Sequence, residues 1–210
     1  MKKLWLPLLG LMVFLSACAT GFDQKAQLKK NSDTIVVQVA KQNAAIATIQ
    51  NQIGAFPSTF ETAYAAHPNA DFQNVGKIHA LIQKRETAYK QLERAQSQLE
   101  SASNQLVKIN SQDNATLPKS ELKKTIATLK LAKLDHKTFD AYYKELTDAE
   151  QDFFDTVAAD PSDKAGIEDA LGQLNQYDSS LGQQADIVEA NLQSVTADAQ
   201  SLHAAALKMK

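Results

Sequence analysis

Near the end of the chain Ile167, Leu174, Leu181, Val188, Val195, Leu202 and Met209 stand seven apart with no polar exception. A second row, Leu171, Asp178, Ala185, Leu192, Ala199 and Ala206, divides each interval into four and three. Such spacing keeps one narrow stripe of a helix against its partners over many turns. At 1.5 Å rise per residue, a helix of about 45 residues is about 65 Å long, so the fold that receives it is elongated.

Earlier segments carry weaker forms of the same pattern. Leu28, Ser32, Ile35, Val39, Gln42, Ile46, Ile49 and Ile53 make a first helix, with polar faults at Ser32 and Gln42. Gly54 and Pro57 end it in this reading, because proline removes a backbone donor and crowds the preceding turn. Ser58 and Glu61 have capping-box spacing, which predicts a short helix over Thr59 to Ala66. A long helix comes next, from about Asp71 to Asn110, with Val75, Ile82 and Tyr89 on one row and Ile78, Arg85, Leu92, Leu99 and Leu106 on the other. Gln96 and Ser103 continue the first row, and Ala95 and Ala102 beside them permit close approach of a partner.

Asn110 to Pro118 has the polar and proline chemistry of a loop. Leu122, Ile126 and Leu129 then start a third long helix, which Leu131, Leu134, Phe139, Tyr142, Leu146, Phe153 and Val157 continue in a shifted phase, a stutter or slight bend. Asp160-Pro161-Ser162-Asp163 breaks the chain and can cap the last helix. Short breaks between long helices imply antiparallel neighbours. The predicted fold is all-α: an elongated antiparallel helical bundle or coiled-coil rod of three to four long helices plus one short helix, forming a single domain over residues 25–210.

The first residues have a different chemistry. Lys2 and Lys3 precede an apolar run from Leu4 to Leu15, too short for a membrane span of about 20 residues. Leu15-Ser16-Ala17-Cys18 comes directly after, and Cys18 is the only cysteine of the chain. These residues resemble the bacterial lipobox, which implies a signal peptide over 1–17, cleavage before Cys18, diacylglycerol on the Cys18 sulfur, and either acylation (palmitate) or a free amine at the new N-terminus. Two acyl chains hold a protein on a bilayer far more firmly than one. Residues 18–24 become the lipidated cysteine and a short polar tether. The expected location is the extracytoplasmic face of the cell membrane, lipid-anchored.

Without the signal peptide the chain carries 20 basic and 24 acidic side chains, the wrong balance for a nucleic-acid binder. Lys77 to Lys137 holds 12 Lys/Arg and 6 Asp/Glu, whereas Thr138 to Gln200 holds 2 Lys and 14 Asp/Glu. These regions are expected to lie side by side and set the helix pairing. A sharper expectation is that Lys119, Lys123, Lys124, Lys130, Lys133 and Lys137 contact an external polyanion, such as teichoic acid or lipid headgroups.

No catalytic constellation is evident, and no cofactor is implied. The four histidines have no metal-ligand spacing; His136 with Asp140 one turn later is the nearest pair, and His136 reads as a surface residue with no metal. Glu145, Asp148, Glu150, Asp152 and Asp155 crowd one stretch but are spread around the axis, as on a solvated acidic face. Tyr89, Tyr142, Tyr143, Phe153 and Phe154 fall at core-like spacing.

The order of features is similar to the cell-wall-binding lipoprotein family of Gram-positive bacteria, the YkyA type. The similarity rests on the lipobox, on Asp71-Phe72-Gln73-Asn74-Val75 leading into Leu81-Ile82-Gln83-Lys84-Arg85-Glu86, on Tyr89-Lys90-Gln91-Leu92-Glu93, and on Glu150-Gln151-Asp152-Phe153-Phe154 through Leu174-Asn175-Gln176-Tyr177. It implies an all-helical envelope protein without catalytic residues. The expected function is therefore non-enzymatic: contact with cell-wall polymer (peptidoglycan or teichoic acid), or a spacer or scaffold at the envelope. The alternative is a chaperone-like or adaptor lipoprotein that binds an envelope protein through helical grooves. Replacing the sole anchor, Cys18→Ser, should leave an unprocessed precursor that takes up no labelled fatty acid; continued acylation of that variant would refute the lipoprotein reading.

Overall fold

The computed structural model describes residues 23–112 and 114–209. Over these the chain forms four α-helices: α1 (Gln24–Ala66), α2 (Gly76–Asn110), α3 (Lys119–Ala159) and α4 (Lys164–Leu207). No strand occurs among the described residues. Each helix runs antiparallel to the one before it, and α4 returns against α1 as well as α3, so the four close into a ring. The pairs α1–α2 and α3–α4 meet along most of their length, and α2–α3 meet least. The end holding Asp23, the α2–α3 loop and Lys208 is the foot of the bundle, and the end holding the other two loops is its head.

The apolar rows are what the bundle buries. In α4, Ile167, Leu174, Leu181, Val188, Val195 and Leu202 are all core, as are Leu171, Ala185, Leu192, Ala199 and Ala206. Asp163 caps that helix by accepting from the Gly166 amide at 3.0 Å. Gly166 leaves room for it: a Cβ there would lie 2.3 Å from the Asp163 carboxylate. Ala88, Ala95 and Ala102 of α2 are buried, the small row that lets α1 and α2 approach closely.

Three sequence expectations are corrected. The short helix over Thr59 to Ala66 is not separate, because α1 continues through Pro57 to Ala66. A mid-helix proline costs about 3 kcal/mol, but the heptad row runs on as Phe56 and Phe60, both buried, and these pack with Phe72, Phe153 and Phe154. Aromatic burial of that size outweighs the lost hydrogen bond. The second helix starts at Gly76 rather than Asp71. Asp71 instead organises a turn, accepting from the Asn74 amide on its side chain at 3.1 Å and from the Val75 amide on its backbone at 3.0 Å, and Gly76 leaves that turn at φ +82°.

The third correction concerns the phase of α3. Its buried row is regular: Leu122, Thr125, Leu129, Ala132, His136, Phe139, Tyr143, Leu146, Glu150, Phe153 and Val157. Leu131 and Leu134, which suggest a stutter in the sequence, are exposed. The shift is only apparent, produced by polar His136 and Glu150 occupying core positions while two leucines face solvent.

Val188 is 2% exposed and mid-way along the α4 seam. Val188→Asp buries an unpaired charge and should lower stability by several kcal/mol, roughly 3 to 5. Thermal melting followed by circular dichroism checks this; an unchanged midpoint would place the residue in solvent.

Candidate functional site

Cys18 lies outside the described residues. The six lysines of α3 divide into two sets. Lys119 donates to the backbone carbonyls of Asn110 and Gln112 at 2.9 and 2.7 Å, so it closes the C-terminus of α2. Lys124 pairs with Asp198 of α4 at 2.8 Å, and Lys133 with Glu100 of α2 at 2.8 Å. Lys123, Lys130 and Lys137 are exposed and have no ion-pair partner among the described residues. Being seven apart, they form one stripe along α3, and Lys144, also exposed, extends it.

The expected pairing of basic with acidic segments is only partly realised. Bonds Gln42–Gln96, Glu93–His136, Gln184–Asp135 and Gln50–Asp186 mark a common level across the four helices. On the foot side of it, residues 23–45, 94–112, 114–137 and 187–209 carry thirteen Lys/Arg and seven Asp/Glu. On the head side, residues 46–93 and 138–186 carry six and sixteen. The acidic half of α3 packs on the acidic half of α4, so charge is sorted end from end rather than face against face.

Between α2 and α3 runs a polar seam. Arg85 and Glu150, both buried, form a two-pronged ion pair, Nη1 to Oε1 at 3.0 Å and Nη2 to Oε2. The Arg85 guanidinium lies 5.8 Å from the ring centre of Tyr143, which stacks on Tyr89 at 4.0 Å with ring planes 1° apart. One turn further, Tyr89 donates to Asp140 Oδ1 at 3.2 Å. Nε2 of His136 sits 2.8 Å from Glu93 Oε1 and 3.5 Å from Asp140 Oδ2. His136 is thus buried at 6% exposure, contrary to its reading as a surface residue.

Burial shifts the acids here. Desolvation raises the Asp140 carboxyl above the usual range, and Glu93 adds to the rise while His136 opposes it. Asp178 of α4 is pushed up to about 7, mainly by burial, with Arg85 opposing and Glu150 adding. In the sequence Arg85, Gln96 and Asp178 stand out as faults in apolar rows. Their own segments do not show that Arg85 meets Glu150, that Gln96 accepts from Gln42 at 3.0 Å, or that Glu93 completes a group with His136 and Asp140.

At the head, Phe60, Tyr64, Pro68, Pro161, Ile167 and Leu171 line a groove of about 620 Å³. Tyr64 donates to the Pro161 carbonyl at 2.6 Å and ties the end of α1 to the loop between α3 and α4. No family model, curated protein or solved structure matches the chain.

Asp178 yields a pH prediction. Its folded pKa is raised from 3.8 to about 7, so the stability it contributes is full below pH 4 and is lost as pH rises towards and through 7. Asp178→Asn should therefore melt several degrees higher than the parent at pH 8, a gain on the order of 1–3 kcal/mol. The two proteins should converge by pH 4. Equal melting at both pH values would show that Asp178 is not held in its acid form by burial.

Proposed function

We propose that this chain is a non-enzymatic lipid-anchored protein of the extracytoplasmic membrane face, held by Cys18, whose helical rod contacts cell-wall polymer or serves as a spacer or scaffold. The observation that carries this reading is the sorting of charge along the rod. The first described residues, next to the tether, stand at the foot, where cations exceed carboxylates. Lys123, Lys130 and Lys137 extend that positive surface about 21 Å along α3, fourteen residues at 1.5 Å each. A phosphate-bearing polyanion is its natural counterpart, whether teichoic acid or lipid headgroup. Membership of the cell-wall-binding lipoprotein family that the sequence resembles would agree with this role.

The adaptor reading has one observation in its favour, the largely apolar groove at the head, which offers a protein partner a seat far from the foot. Crosslinking that captured an envelope protein at Tyr64 or Leu171, with no binding to wall or lipid, would favour it.

The test is reversal of the unpaired stripe, Lys123→Glu, Lys130→Glu and Lys137→Glu together, in residues 23–210. At about 1 kcal/mol per lysine near an anionic surface, the triple variant should lose roughly a hundredfold in affinity. The measurements are co-sedimentation with phosphatidylglycerol vesicles and with sacculi that keep or lack teichoic acid. Loss on one surface and not the other names the polyanion. Undiminished binding on all of them would refute the role of the stripe, and a lowered melting point would assign these lysines to the fold.

A further inference from the structure

We propose that Glu93, His136 and Asp140 form a binding site for a divalent transition-metal ion, of which Zn²⁺ is the best fit, bridging α2 and α3. One ligand atom from each residue lies within 4.8 Å of the other two. His136 Nε2 faces both carboxylates, at 2.8 Å from Glu93 and 3.5 Å from Asp140. Zinc bonds of about 2.0 to 2.2 Å in tetrahedral geometry place neighbouring ligand atoms about 3.3 to 3.6 Å apart. Reaching that arrangement from the observed one requires small side-chain adjustments. Glu93, whose side chain is 45% exposed, has the freedom to make them.

The surroundings are those of a ligand set rather than of an ordinary ion pair. His136 and Asp140 are one helical turn apart on α3, and Glu93 reaches them from α2, so three groups converge from two facing helices. The second oxygen of Asp140 accepts from Tyr89 at 3.2 Å, which fixes the carboxylate from behind, as outer partners fix metal ligands. Tyr89 is itself held by stacking on Tyr143. Two carboxylates meet here, and no lysine or arginine among the described residues forms an ion pair with either. Bound through the neutral imidazole of His136, a divalent ion brings two positive charges against these two carboxylates. A nitrogen ligand together with two carboxylates favours zinc or its neighbours over Mg²⁺ or Ca²⁺, which prefer oxygen throughout. Three protein ligands leave a fourth position for water or a further ligand.

The site sits on the helix pair that packs least, so occupancy should stiffen the bundle where it is weakest. The full chain, purified in detergent, is titrated with ZnCl₂, with MgCl₂ as control, and separately with CoCl₂. The expected results are a rise of several degrees in melting temperature with Zn²⁺ alone and visible Co²⁺ absorption of the tetrahedral type. Glu93→Gln changes a half-exposed residue and should melt like the parent without metal, while binding Zn²⁺ at least tenfold more weakly. His136→Gln should abolish the cobalt spectrum. Absence of any Zn²⁺-dependent shift in the parent, or zinc affinity in Glu93→Gln and Asp140→Asn undiminished from that of the parent, would overturn the proposal, the latter by placing the metal elsewhere.

Discussion

The buried pair of Arg85 and Glu150 determines how the ring of helices closes. The other three pairs of neighbouring helices meet more extensively, whereas α2 and α3 meet least and bring together Arg85 with Glu150 and Glu93 with His136. An ion pair out of water contributes little net stability, yet a shift of one heptad would leave two buried charges without partners, a penalty of about 3–5 kcal/mol for each one left alone. The pair therefore selects one register among several that the apolar rows would accept. Gln42 with Gln96 performs the same selection between α1 and α2 at lower stakes. Polar residues inside these seams specify the arrangement, and the leucines, isoleucines and valines around them supply the stability.

Charge obeys a different logic from packing. A bundle stabilised by complementary faces would set the basic half of α3 against an acidic neighbour, but antiparallel hairpins bring the C-terminal half of α3 onto the N-terminal half of α4, and both are acidic. The connections are too short for any other pairing. Repulsion at the head is relieved by exposure of most of those carboxylates and by proton uptake at Asp178. The fold thus tolerates an electrostatic cost that a designer of stability would have removed, which is the pattern expected when a charge distribution serves something other than folding.

Much of this is legible in the sequence. The α4 rows predict burial from Ile167 to Ala206 with Asp178 only half-buried, because apolar side chains at every seventh position leave no competing phase. The α1 rows hold equally well until Pro57, where a local rule gives way to Phe56 and Phe60, whose burial depends on Phe153 and Phe154 about a hundred residues later. In α3 the phase is misleading for a related reason: Leu131 and Leu134 look like core and His136 and Glu150 like surface, since their partners Glu93 and Arg85 lie on another helix. Of the six lysines, Lys119, Lys124 and Lys133 are occupied within the molecule, which no count of nearby acids reveals. A residue's role is readable from its own segment only when its partners belong to that segment.

Because α1 passes through Pro57 without a break, head and foot are joined by one continuous helix of 43 residues, about 65 Å long. Ionic screening in physiological salt acts over about 8 Å. Charges near the two extremities are therefore electrically deaf to each other: the carboxylates beside the head loops neither weaken nor strengthen the field of the lysines beside the foot loop. Substitution can tune the surface charge at either end without altering the other, so that one rigid body carries two independently adjustable surfaces.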